Sequence, residues 1–201
     1  MQEQRSTNSE LSDEELVRQT CAGQRRAFDE LIERYQRRAT SVSYRLLGDL
    51  NDALEVCQEA FLRAYRNIHT LEDARRFGPW LLRIVTNLSL NFRRSRAVGG
   101  RRVSFDDCIL DGQQTREDLI PAAAHGDGQP GARLAANELS EIAQAAIAEL
   151  PDQQRTALVL FSIEQLPQKE VAVIMECSVE AVKWHVFQAR KKLRERLAEF
   201  L

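Results

Sequence analysis

"PQKEVAVIMECSVEAVKWHVFQARKKLRERL", from Pro167 to Leu197, is the stretch that decides the fold of this chain. Val179, Val182, Val186, Ala189, Leu193 and Leu197 recur at steps of three and four, the stripe of an amphipathic helix. Ser178 stands just before the first of them, where a hydroxyl caps a helix N-terminus. Upstream, Pro167 opens a shorter helical run that breaks at "ECS" after Met175. A short helix, a tight turn and a longer basic helix form a helix-turn-helix. Trp184 is the anomaly, because at about 100° per residue it points roughly 180° from the centre of the stripe. Glu180, Lys183, Phe187, Gln188, Lys191 and Arg194 share that side. Either the face meets something flat, polar or anionic, or Trp184 packs beneath a neighbouring segment.

Before this motif, "NELSEIAQAAIAEL" (137–150) and "PDQQRTALVLFSIEQL" (151–166) read as two more helices, so residues 132–201 make one helical unit. Residues 97–131 break the pattern. Gly99, Gly100, Pro121, Gly126 and Gly128 punctuate them, and beyond Arg102 the acids Asp106, Asp107, Asp111, Glu117, Asp118 and Asp127 face only Arg116. This composition predicts an acidic, flexible linker. Extended at roughly 3.3–3.6 Å per residue, about 34 residues reach some 110–120 Å.

Residues 10–96 form the other unit, four helices long. Ser12 and Glu15 have capping-box spacing, Gly48 stops the second helix, Asn51 is placed to cap the third, and Pro79 suits the first turn of the fourth. Phe28, Leu31, Ile32, Tyr35 and Ala39 fall on one inward stripe. The whole chain, 201 residues at 43% hydrophobic and 29% charged, has enough apolar side chains for real cores. Short β-branched runs are missing, so the predicted class is all-α: two small helical domains on a tether.

No apolar run reaches bilayer-spanning length and "MQEQRSTNSE" is not a signal peptide, so a cytoplasmic protein is expected. Cys21, Cys57, Cys108 and Cys177 are scattered without metal-ligand spacing, and no metal or cofactor is assigned. The net charge of -2 hides two basic patches. Arg93, Arg94, Arg96, Arg101 and Arg102 form one; Lys183, Arg190, Lys191, Lys192, Arg194 and Arg196 form the other.

Three blocks together carry a resemblance. "LLGDLNDALEVCQEAFLRAYRNI" resembles a polymerase-binding segment, "FGPWLLRIVTNLSLNFRR" a promoter-melting helix, and "LPDQQRTALVLFSIEQLPQKEVAVIMECSVEAVKWHVFQARKKL" a −35-reading region. In this order they resemble the bacterial extracytoplasmic-function (ECF) sigma factors of the sigma-70 superfamily. The sequence departs from the family pattern at Leu54, usually an acid, and at Glu55, usually aspartate. Glu176 stands where the turn usually has glycine, and Ala181 where threonine is common.

The resemblance implies a promoter-specificity subunit, not an enzyme, with residues 10–96 as region 2 and 132–201 as region 4. It would serve a stress or envelope-signal regulon. It implies core RNA polymerase as partner, through the beta-prime clamp helices and the beta flap, together with promoter DNA and an anti-sigma factor, and no membrane insertion. It sends Asp52, Glu55, Gln58, Glu59, Phe61 and Leu62 towards polymerase, with Phe61 and Leu62 open to a core role instead. The loop from His69 to Arg76, including Glu72 and Asp73, would capture a flipped −10 base, with Asn87, Arg83 and Arg94 beside it. Ser178, Glu180, Lys183, Trp184 and His185 would face the −35 element, and Arg190 and Lys191 its phosphates.

Two other functions compete. A stand-alone helix-turn-helix regulator explains residues 132–201 but leaves the polymerase-binding block idle. A decoy for an anti-sigma factor would need a receiver domain that the chain has no room for. For an enzyme, the sequence offers no catalytic-triad order, metal-ligand cluster or phosphate-cradling glycine loop.

Overall fold

The computed structural model describes residues 11–97 and 142–198. The expected linker, Cys108 and the start of the helix expected over 137–150 lie outside those residues. Among the described residues all regular structure is helical, in two units. The first holds α1 (Asp13–Cys21), α2 (Arg25–Leu47), α3 (Leu50–Asn67) and α4 (Phe77–Ala97). Two 3-10 turns, Ile68–Thr70 and Ala74–Arg76, join α3 to α4. The second holds α5 over 142–148, α6 (Asp152–Leu158), α7 (Gln168–Met175) and α8 (Val179–Leu197).

Half of the expected capping box is present. Ser12 Oγ accepts from the Glu15 N–H at 3.2 Å, but the Glu15 carboxylate turns to Arg18 and Gln19 instead of reaching back. The cap of α3 is Asp49 and not Asn51: Asp49 is extended, and its carboxylate accepts from the Asp52 N–H at 2.9 Å. The single helix expected over 151–166 also changes. After Leu158 it widens into a π turn, Val159–Ile163, closed by the Glu164 N–H donating to the Val159 carbonyl at 2.9 Å.

The first unit packs α2 against α3 and α4 through Phe28, Leu31, Val42, Val56, Leu82 and Val85, all buried. The buried hydroxyls of Ser43 and Ser89 are paired, as burial favours, while Thr86 Oγ1 is buried without a partner among the described residues. Ser89 Oγ donates to the Val85 carbonyl at 2.8 Å and meets Ser43 Oγ at 3.1 Å. Gly78 lets α4 approach α2 closely, since a Cβ there would lie 2.9 Å from the Tyr35 ring. Asp13 ties α1 down by accepting from Arg34 at 3.1 Å and from the Tyr35 hydroxyl. Burial, and then the Asp13 carboxylate, push the Tyr35 phenol well above its ordinary pKa.

Gly48 ends α2 in the left-handed region, φ +79°, with its N–H donating to the Tyr44 carbonyl at 2.8 Å. That leaves the Leu46 carbonyl without a helical partner. Two arginines supply it. Arg93 of α4 donates at 2.9 Å, and so does Arg155 of α6, from the other unit. Arg155 is only 3% exposed, and it also donates to the Ile147, Ala148 and Leu150 carbonyls. One buried guanidinium thus closes the end of α5 and docks its unit on the end of α2, where the helix dipole favours a cation. The buried apolar side chains of both units join in one cluster.

Replacing Arg155 by alanine should lower unfolding free energy by about 2–4 kcal/mol, because buried carbonyls are left without donors. Arg93→Ala, at a more exposed side chain, should cost about 1 kcal/mol or less. Urea denaturation of the two variants checks the ratio.

Candidate nucleic-acid and partner-binding surfaces

The helix-turn-helix is built as its sequence suggests. Val171, Ala172 and Ile174 of α7 are buried, as are Val182, Val186 and Ala189 of α8. Ser178 Oγ accepts from the Ala181 N–H at 3.1 Å, fixing the start of α8. The turn closes with the Cys177 N–H on the Ala172 carbonyl at 3.0 Å and the Glu176 N–H on the Val173 carbonyl at 3.4 Å. This is a Schellman arrangement with Glu176 at φ +53°, where a Cβ is disfavoured by about 1–2 kcal/mol and glycine is not.

Trp184 does not pack beneath a neighbour. It is 54% exposed, and Phe187, three residues on, is 65% exposed. Glu180, Lys183 and Lys191 are exposed around them. Two large apolar rings among cations are what a surface for nucleic acid offers, since rings stack or meet methyl groups and cations take phosphates. Phe187 falls on the side of Trp184 by its spacing, but no binding role was expected of it. Arg190 is already engaged, donating to Ser162 Oγ at 3.1 Å with its guanidinium 5.8 Å from the Phe161 ring centre.

The His185 ring stands edge-on to Trp184, centroids 5.0 Å apart, and its Nδ1 is buried without a hydrogen-bond partner. Burial pushes its pKa below the ordinary value, so the imidazole is neutral at neutral pH and offers hydrogen bonding, not charge.

On the first unit, His69 and Glu72 are exposed in the α3–α4 connection. Asp73 is less free: it caps the second 3-10 turn by accepting from the Arg75 N–H at 3.1 Å and pairs with the Arg75 guanidinium at 2.9 Å. The Arg75 hydrogen bond holds the Asp73 carboxyl below its ordinary range. Asn87 and Arg94 of α4 line a cleft of about 240 Å³ that Ile174, Met175 and Glu176 close from the other unit. Arg76 and Arg83 also reach that unit.

On α3, Gln58 is exposed and Glu55, Glu59 and Leu62 are half-buried, sharing one side of the helix. On this helix one alternative closes, since Phe61 takes the core role left open to it, and the expectation for Asp52 needs correcting. Phe61, 4% exposed, belongs to the core. Asp52, 3% exposed, is paired with Arg96. Tyr65, 39% exposed and 5.0 Å from the Phe28 ring, extends the side of Gln58 and was not anticipated. Its signal was the seven-residue step from Gln58.

Among the described residues, no helix is long and apolar enough to cross a membrane. Residues 31–98 match the family described as Sigma-70 region 2, and residues 140–193 match Sigma-70, region 4. The ECF RNA polymerase sigma factor SigW of Bacillus subtilis is 31% identical over 194 residues, covering 94% of this chain and 99% of its own length. The ECF RNA polymerase sigma-E factor of Escherichia coli K12 is 30% identical, covering 92% of this chain and 94% of its own. Among solved structures, CnrH in complex with the cytosolic domain of CnrY shares the fold with a TM-score of 0.65 at 23% identity, over 93% of this chain and 97% of CnrH. The sigma factor RpoE with the anti-sigma factor NepR, from Bartonella quintana, gives 0.61 at 20% identity, over 85% and 96%.

The half-buried imidazole of His185 sets a pH dependence. A folded-state pKa below the unfolded one means the unfolded chain takes up the proton first as pH falls. Stability present above about pH 6.5 is therefore lost on acidification. Between about pH 7 and pH 5, the wild-type melting temperature should fall more than that of His185→Gln, read by circular dichroism.

Proposed function

Because the chain belongs to the ECF sigma factors of the sigma-70 family, we propose that it binds core RNA polymerase in the cytoplasm and confers promoter-specific initiation. In this reading α8 reads the −35 element, the α3–α4 connection with α4 reads and melts the −10 element, and the exposed side of α3 meets the beta-prime clamp helices. The beta flap engages the second unit, and the segment between the units is the spacer. The chain serves as a specificity subunit with no reaction of its own. The anti-sigma partner in the Bartonella complex supports control of this chain by a protein of that kind, with a stress or envelope-signal regulon as its output.

The observation that carries the reading is the exposed pair Trp184 and Phe187 among Lys183 and Lys191 on the second helix of a helix-turn-helix. A recognition helix in the major groove puts such side chains against base edges and thymine methyls. Capture of an unstacked base by the α3–α4 connection would repay an unstacking cost of a few kcal/mol. The same chain offers a ridge on α3, Glu55, Gln58, Glu59 and Leu62, which a stand-alone operator-binding regulator would leave unused.

Reconstitution with core polymerase on a randomised promoter library tests this. Defined start sites are expected, and their absence on every promoter would sink the proposal. Charge reversal at Glu59, or Leu62→Ala, should weaken core binding. Trp184→Ala should relax one −35 position by about 1–3 kcal/mol. Lys191→Ala should weaken all promoters alike and reduce the salt slope by about one.

A further inference from the structure

α6 does not run on as a regular helix. After Leu158 it widens into the π turn Val159–Ile163, a form that gathers at functional sites. Directly beyond it the Leu166 N–H donates to the Leu160 carbonyl at 3.0 Å, and Gln165 lies at φ +56°, where a Cβ is disfavoured. Phe161 and Ser162, both half-buried, sit inside the π turn, and both meet one exposed side chain of α8. The Arg190 guanidinium donates to Ser162 Oγ at 3.1 Å and stands 5.8 Å from the Phe161 ring centre, within cation–π range.

The place of Arg190 on α8 adds a second observation. Lys183, Phe187, Arg190 and Arg194 follow one another at steps of three and four. At about 100° per residue, Arg190 falls within about 20° of Lys183 and about 60° from Phe187. It therefore borders the exposed face of Trp184 and Phe187 and does not sit at its centre. A helix in the major groove has base edges under its centre and phosphates along its borders.

We propose that Phe161 and Ser162 are positioning residues for DNA: the π turn presents a ring and a hydroxyl that hold the Arg190 guanidinium, in advance, where a phosphate beside the −35 element will lie. An arginine has five N–H donors, so a bidentate fork remains for the phosphate after Ser162 has taken one. Ordering the side chain before association removes that entropy cost from binding. Phe161 and Ser162 thus act through Arg190, raising affinity without altering which bases are preferred. The strained stop at Gln165 ends the helix immediately after this pair. The inference rests on the reading of α8 as the −35 helix.

The test is a double-mutant cycle in full-length protein reconstituted with core polymerase, binding a promoter duplex drawn from the randomised library at several salt concentrations. Arg190→Gln should weaken binding about five- to tenfold and lower the salt slope by about one. Ser162→Ala and Phe161→Leu should each weaken it about two- to fivefold with the slope unchanged, because the charge remains. Ser162→Thr and Phe161→Tyr, which keep the hydroxyl and the ring, should bind as wild type. In the Arg190→Gln background, Ser162→Ala and Phe161→Leu should cost nothing further, whereas a folding defect would persist in full. Wild-type binding by either single variant, or an undiminished loss in the Arg190→Gln background, would overturn the positioning role. Wild-type binding by Arg190→Gln with Lys191→Ala still weakened would also overturn it and leave the −35 reading standing. Wild-type binding by both would remove α8 as a DNA face, and the positioning role with it.

Discussion

The Leu46 carbonyl at the end of α2 accepts one arginine from its own unit and one from the other, and most of the architecture follows from that shared acceptor. A guanidinium as buried as Arg155 is costly unless its donors are filled. Among the described residues no carboxylate does this; main-chain carbonyls do, three from the end of α5 and the following turn and one from α2. The internal closure of the second unit and its docking on the first therefore use the same side chain. Gly48 makes this possible by turning the chain away after Leu47 and leaving the negative end of α2 open to cations.

Around that anchor the ion pairs between the units are one-signed and flank a shared apolar cluster, while large apolar side chains of the second unit, Val173, Trp184 and Phe187, remain exposed elsewhere. For the proposed function, this division suits a chain that comes apart on engaging its partners. Exposed ion pairs are individually weak and exchange readily for other acceptors. The left-handed Glu176 fits the same logic, since a residue that strains a turn persists only where its side chain has a use. The surfaces proposed to read DNA and the surfaces that join the units overlap on α4 and remain separate on α8.

Much of this was legible in the sequence where a single helix decides the outcome. The 3.6-residue stripe of α8, Ser178 as its cap, Gly48 as the stop of α2 and Trp184 on the outer face are all local properties, and the structure has them. What was missed depends on neighbours. Asn51 and Asp49 are both plausible caps by type, and only the turn after Gly48 makes Asp49 the extended one. Phe61 falls next to the exposed side of α3 on a helical wheel, but the packing of α2 and α4 encloses it. Asp52 and Arg155 look like surface charges until tertiary partners bury them. The π turn leaves no periodic signature, because five residues are too few to shift a hydrophobic stripe visibly.

The most direct test of the account is the distance between the two units, measured by energy transfer between a label on the exposed Cys21 of α1 and one on a cysteine introduced at Lys192 of α8. The free protein should give a short distance, with a marked increase when core polymerase and promoter DNA are added. A distance already long in the free protein, or one that does not change on engaging polymerase and promoter, would contradict the account.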